Sequence, residues 1–384
     1  MYYIALKMLF GDRGKYIAMV VGVSFAALIM TQQPAILVGL LSRTYSFIKD
    51  ISLPDIWVME QGVQYAEEHK PIRDTELNKI RGVSGVAWAV PLYKSIMSAK
   101  MPDGLSKTID VTGLDDSTLI GAPFRILQGK LSDFKRADAI FVDYEAAQSR
   151  LRIKVSPDVT RPLAVGDTLE INDKRAVVVG YIKATRNFVL QPQIYTTYSN
   201  ALSYSAPGRR KLNYVLVKVK DGQNLQNICQ KIETKTALKA YTASEFGDVS
   251  LNYWMKNTGI PINFGISVLL GFIVGAAIAG QTFFSFVQEN IKHYAALKAM
   301  GLRSGLLAKM VMLQALVVGL VGYGIGVGLA TLFGLKFRDS VLAFYMPPIL
   351  LFYSGAGVLV IIVVAAAIGI RRVINVDPSI VFRG

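Results

Sequence analysis

Four long apolar stretches set the rhythm of the chain, at positions 16–41, 260–287, 305–335 and 347–370. Each reaches the roughly 20 residues needed to carry a helix across a bilayer. At about 1.5 Å per residue the first would run roughly 39 Å, against a hydrocarbon core of about 30 Å. It therefore predicts tilt, or a helix that continues past the membrane. Gln32 and Gln33 favour continuation, because amides in mid-bilayer need partners. The first stretch also exceeds the core of about 7–15 residues of a cleaved signal, so it reads as a retained span.

Residues 42–259 have a different pattern. Segment 75–81 (TELNKIR) has helical spacing and 86–93 (VAWAVPLY) is extended. Segments 108–114 and 139–143 are short strand candidates, and 143–151 opens as a helix with Asp143 as its N-cap. Within 165–186, a VGD turn, TLEI, an ND turn and RAVVVGYI read as a hairpin. Segment 214–220 alternates, and 224–233 returns to helical spacing. The fold class expected is an α-helical membrane protein of four transmembrane helices, with a large α+β extracytoplasmic domain inserted between helices 1 and 2. The parts are an amphipathic cytoplasmic helix (1–15), spans at 16–41, 260–287, 305–335 and 347–370, the inserted domain (42–259), a cytoplasmic segment (288–304), a short outer loop (336–346) and a tail (371–384).

Basic residues orient this arrangement. Lys7, Arg13 and Lys15 precede the first span. Lys292, Lys298, Arg303 and Lys309 lie between the second and third, and Arg371, Arg372 and Arg383 follow the fourth. The remaining connection holds Lys336, Arg338 and Asp339. The positive-inside rule then places both termini and segment 288–304 in the cytoplasm.

Composition agrees. The 384 residues are 52% hydrophobic yet 18% charged, which fits membrane spans plus a water-exposed domain. The net charge of +15 points to an anionic membrane, because no aromatic-and-basic stripe offers a platform for nucleic acid. Cys229 is the single cysteine, so no intramolecular disulfide can form, and it reads as a small apolar side chain on a helix. With His69 and His293 it makes too few ligands for a zinc site.

Signatures of covalent chemistry are missing. The nearest approach to a phosphate-binding loop, Gly11-Asp-Arg-Gly14-Lys15, has the wrong spacing. Neither HExxH nor GxSxG occurs. No catalytic residue, cofactor site or metal site is expected. The span interiors also lack the carboxylates, lysines and histidines of ion-coupled carriers. Energy is therefore expected to arrive from outside the lipid. Glycines four apart, Gly271 with Gly275, Gly322 with Gly326 and Gly324 with Gly328, suggest close helix packing within the chain or against a second copy.

The connection 288–304, QENIKHYAALKAMGLRS, predicts a short helix. Glu289 would sit near its N-terminus and Gly301 would end it. Ala295, Ala296, Leu297 and Met300 supply an apolar face, and Lys292 and Lys298 a basic one. This segment resembles a loop of MacB-like and FtsX-like ABC transporter permeases, where a run of the form ER-x-x-EIG-x-LRA-I/L-G follows the second span. Glu289, Leu297, Lys298, Ala299, Met300 and Gly301 match; Asn290, His293, Tyr294 and Ala295 depart. The run YAALKAMG is closer to the DevC subgroup. The opening MYYIALKMLFGDRGKYIAMVVGVSFA, the segments DTELNKIRGVSGV and VGDTLEINDKRAVVVGYI, and the tail motif carried by Asp377, Pro378 and Arg383 resemble the same family.

The resemblance implies a type VII permease working by mechanotransmission in a bacterial inner membrane. Segment 288–304 would be the coupling helix, with Glu289, Lys292, His293, Leu297, Lys298, Met300 and Gly301 meeting a separate ATPase. Two ATPase copies would bind the ATP and Mg, two permeases would form a homodimer, and the chain itself would carry no cofactor. The inserted domain would be periplasmic and meet an adaptor (membrane fusion) protein leading to a TolC-like channel. LolC/LolE-like lipoprotein or lipid extraction and FtsX-like signalling without transport are the alternatives within the superfamily.

Overall fold

The computed structural model describes residues 2–123, 125–206, 211–337 and 342–377. Arg338 and Asp339 of the last connection, and Pro378 and Arg383 of the tail motif, lie outside the described residues. The chain opens with helices α1 (Tyr2–Gly11), α2 (Arg13–Ser42) and α3 (Ser46–Asp50). Next come β1 (Ile56–Met59), α4 (Asp74–Arg81), β2 (Val86–Lys100), β3 (Ser106–Leu114), β4 (Ile126–Gln128) and β5 (Ala139–Asp143). They are followed by α5 (Tyr144–Gln148), β6 (Ile153–Ser156), β7 (Val159–Arg161), β8 (Thr168–Ile171), β9 (Lys174–Ile182) and β10 (Gln193–Thr197). Then come α6 (Tyr198–Tyr204), β11 (Tyr214–Val219), α7 (Leu225–Thr236), β12 (Lys239–Thr242) and α8 (Ala243–Asn257). The chain ends with α9 (Ile260–Glu289), α10 (Ile291–Ala299), α11 (Ser304–Lys336) and α12 (Pro348–Ile374).

Two compact units result: Met1–Leu40 with Thr258–Gly384, and Leu41–Asn257. In the first, α2, α9, α11 and α12 are each long and apolar enough to cross a membrane. Their shared core includes Met19, Val23, Ala27, Phe283, Met310, Val318, Ile362 and Ala366. In lipid, burying apolar surface drives association only weakly, so the contacts depend on close approach at small residues. Gly271 and Gly275 of α9 face Ile29 and Ala26 of α2. Gly322 and Gly326 of α11 face Val23 and Ala27 of the same helix.

The second unit is α+β. Among its described residues, β12, β1, β11 and β2 lie side by side in that order, all antiparallel. β1–α4–β2 and β11–α7–β12 are therefore two interleaved β-α-β units, each pair of strands separated by a strand of the other. A core of Ile56, Val58, Ile80, Val215, Val217, Ile228 and Ile232 fills the α4/α7 side of this sheet. The opposite face buries Trp57, Met59, Leu92, Tyr214 and Leu216 with Phe47 of α3 and Phe246 of α8.

The far half of β2 belongs to a second body. There β2 pairs β3, β3 pairs β10, β10 pairs β5, β5 pairs β9 and β9 pairs β8. β8 then returns to β2 through Ala99–Ile171 and Lys100–Glu170, closing a six-stranded ring. Closure removes exposed edges and encloses Met97, Ile109, Val111, Ile140, Val142, Leu169, Ile171 and Val178. The β8–β9 hairpin turns at Asn172 and Asp173, with φ of 45° and 63°, the left-handed pair that a tight hairpin of matching twist requires. Asp143 caps α5 by accepting from the Ala146 N–H at 3.0 Å, and Asn224 caps α7. Cys229 is buried on α7, where burial pushes its thiol up to about 12.

Among the described residues, one ion pair is buried inside this unit. Lys94 Nζ lies 2.5 Å from Asp110 Oδ2, with the side chains 1% and 3% exposed. Asn187 Nδ2 donates to the same oxygen at 3.2 Å, and the ammonium sits 4.3 Å from the Phe47 ring centre. Glu67 and His69 belong to the same surroundings. Burial is the main cause that raises the Glu67 carboxyl to about 7, against the attraction of Lys94. Burial likewise lowers the His69 imidazole to about 4, helped by Lys94.

Candidate functional site

Segment 288–304 folds as a short helix set off from its neighbours, but its start differs from expectation. Glu289 is the last residue of α9, not the first turn of α10. The break falls at Asn290, whose Nδ2 donates to the Phe286 carbonyl at 2.9 Å. Asn290 thereby stops α9, and its side chain does not cap α10. Glu289 instead forms an ion pair with Lys15 at the start of α2.

The C-terminal end follows local chemistry. The Leu302 N–H donates to the Leu297 carbonyl at 3.2 Å, and the Gly301 N–H to the Lys298 carbonyl at 3.0 Å. This is the Schellman pair of bonds, and it needs a left-handed residue at the turn. Gly301 supplies one, with φ of 93°.

The two faces of α10 divide differently from the apolar and basic split read in the sequence. Tyr294, Ala295 and Leu297 are buried. Lys292, His293, Met300, Gly301 and Arg303 are exposed, Met300 at 71%. Met300 therefore leaves the expected apolar face, because it lies beyond the last helical turn. Lys298 leaves the basic one: its Nζ donates to the Ile374 and Val376 carbonyls at 2.7 and 2.9 Å. Those carbonyls close α12, where a cation also meets the negative end of the helix dipole. Of the seven residues marked in the sequence, the structure brings Lys292, His293, Met300 and Gly301 to one open side. Leu297 and Lys298 hold the helix in place, and Glu289 lies outside it, paired with Lys15 of α2.

Two residues outside that set of seven complete the attachment. Tyr294 OH donates to Gln314 Oε1 at 2.7 Å, and Gln314 Nε2 donates to the Ala5 carbonyl of α1 at 2.8 Å. Burial holds the Tyr294 phenol above its ordinary range, so it stays a donor. A single glutamine within an apolar span was the available signal. At Gln288, Oε1 accepts from Arg372 Nε at 3.0 Å. The open side offers a thioether, an imidazole and cationic ends, a chemistry suited to a surface with an apolar floor and an acidic rim.

The glycine pairs also separate. Gly271, Gly275, Gly322 and Gly326 are internal contacts with α2, whereas a Cβ at Gly324 or Gly328 would meet nothing within 4 Å. Gly324 and Gly328 share the outward face of α11 with Leu320, Ile325, Leu329 and Leu332.

Known proteins match both units. Residues 17–235 match the family model of the MacB-like periplasmic core domain, and 265–378 that of the FtsX-like permease C-terminal region. An uncharacterized ABC transporter permease of Mycobacterium tuberculosis is 27% identical over 240 residues, 60% of this chain and 62% of the relative. One from Mycobacterium bovis is 23% identical over 253 residues, 63% and 64% of the two chains. The alignments thus cover a little under two thirds of these relatives' own length. The periplasmic region of MacB from Actinobacillus actinomycetemcomitans is similar at 14% identity and a TM-score of 0.39, over 52% of this chain and 94% of that one. The extracellular domain of the ABC-type transporter YknZ from Gram-positive bacteria gives 14% and 0.35, over 49% and 98%. With one family model spanning more than half of the chain and the other most of the rest, on four apolar helices interrupted once by an α+β domain, the chain belongs to the MacB/FtsX-like family of ABC transporter permeases.

Proposed function

We propose that this permease transmits motion from a separate cytoplasmic ATPase, docked on the open side of α10, to the inserted domain outside the membrane. The observation that carries this reading is the attachment of α10. Its exposed side presents Lys292, His293 and Met300, while its buried side is bonded to α11 and α12. A helix displaced at one face and anchored at the other moves the spans with it.

The spans support transmission rather than passage. Their charged residues sit near the helix ends, as with Lys15, Glu289, Lys309 and Arg371, so no polar path for a solute runs through the lipid. In this reading both termini are cytoplasmic, two ATPases bind ATP and Mg, and two permease copies form a homodimer in a bacterial inner membrane. The inserted domain meets a periplasmic adaptor and a TolC-like channel, as in an efflux pump of the DevC kind.

Met300→Asp places a carboxylate on the docking side without touching the buried one. The expected result is loss of ATPase co-purification from native membranes, with unchanged melting of the permease. Retention of the ATPase and of export at the native level would overturn the docking assignment.

A further inference from the structure

Gln314 is fully buried ten residues into α11, about 15 Å along the helix. A buried amide in a membrane helix is costly unless both its ends are bonded. Here each end bonds a different helix: Oε1 accepts from Tyr294 of α10, and Nε2 donates to the Ala5 carbonyl of α1. The Ala5 carbonyl has a second lone pair for this bond, so α1 need not unwind to accept it. Around the amide, Ala5, Leu9, Tyr294, Leu297, Leu307 and Met310 share one apolar cluster.

Beyond the amide, α1 joins α2 through the single residue Asp12, and Phe10 of α1 packs edge-on against Tyr16 of α2 with ring centres 5.0 Å apart. The Asp12 carbonyl accepts from the Tyr16 N–H at 3.0 Å, and Asp12 Oδ1 accepts from the Lys15 N–H at 3.2 Å. The Lys15–Glu289 pair ties the same corner to α9. A continuous set of contacts thus runs from α10 through Gln314 to α1 and into α2, the helix that leads to the inserted domain.

We propose that Gln314 is a positioning residue that locks α10 to α1, so that displacement of α10 drives α2 as well as α11 and α12. This rests on the reading of α10 as the ATPase-docking element. Without the amide, α1 and α10 would still pack against α11 but would slide independently. Loss of one such bond raises the population in which they part by about tenfold.

The test uses the full-length permease with its native ATPase in lipid nanodiscs. Spin labels replace the exposed Lys7 of α1 and Ala299 of α10, with Cys229→Ala as background. Gln314→Leu alone leaves the Tyr294 hydroxyl buried and unpaired, so it serves as a stability control. The decisive variant is Tyr294→Phe with Gln314→Leu, which removes both polar partners together and is expected to keep a near-native melting temperature. In the unsubstituted pair, the label separation should be the same without nucleotide and with ATP plus vanadate. In the double variant it should shift between those states, and the population with parted labels should rise about tenfold. A role in folding alone would leave both readouts at the native level, and that result overturns the inference. A separation that changes in the unsubstituted protein also overturns it. If the native chain retains no ATPase, the docking reading falls and this inference with it. If the ATPase is retained and both proteins behave alike, this inference alone falls.

Discussion

Gly326 and Gly328 stand two residues apart on α11, yet they should respond oppositely to the same substitution. A Cβ at Gly326 would lie 2.5 Å from Ala27 Cβ, 2.6 Å from the Ser24 carbonyl oxygen and 2.9 Å from the Leu28 nitrogen. The last two atoms are backbone of α2, four residues apart along that helix, so no rotamer change relieves them. Ordinary contact begins at 3.4 Å, so α2 and α11 must part by about 1 Å, a gap that forfeits a quarter to a half of each facing contact. Gly326→Ala is expected to cost about 1–3 kcal/mol. Gly328→Ala meets nothing within 4 Å and should gain up to about 1 kcal/mol from helix propensity alone. The propensity term is common to both variants, so their difference isolates the helix contact. Reversible unfolding of the purified permease in mixed micelles, followed by helical circular dichroism because all three tryptophans lie in the inserted domain, measures it. Equal stabilities of the two variants would refute the packing of α11 on α2 through Gly326.

Two further expectations follow from local geometry and buried charge. Gly301→Ala meets no steric neighbour, so its cost is the left-handed backbone alone, about 1–2 kcal/mol by unfolding, with Gly301→Asn recovering part of it. No change in either variant would mean that the Schellman end is not populated. Glu67, raised from 4.5 to about 7, keeps a proton in the folded chain that the unfolded chain has released. Its contribution to stability is therefore present at low pH and lost as pH rises through that window, by up to about 3 kcal/mol. Glu67→Gln should then melt higher than the native chain at pH 8 and like it at pH 4. It should also expose the opposite slope of His69, whose lowered value makes stability rise between about pH 4 and 6.5. Parallel pH profiles of the two proteins would refute the assignment.

Much of the fold was legible because it is encoded over a few neighbouring residues. Each long apolar run became one helix, since a backbone in lipid must satisfy its own hydrogen bonds. Asp143 and Asn224 cap helices, and Asn172–Asp173 turns a hairpin, through contacts spanning two or three positions. The short strands β1, β10 and β12 left no such mark. β1 is buried on both faces, so IWVM lacks the alternation that reveals a half-exposed strand.

What the sequence by itself determined was the set of elements: four apolar helices, an α+β insert, and a short helix after the second span that ends at Gly301. Tertiary structure alone decided which face of each element meets what. Ala99 pairs with Ile171 to close the ring of strands. Lys298 is spent on α12, Gly326 but not Gly328 faces α2, and Gln314 reaches Ala5 across 309 positions. Periodicity states that a helix has an apolar side and an open side. It carries no information about the partner that will cover either one, because that partner is supplied by distant chain brought close only when the whole molecule folds.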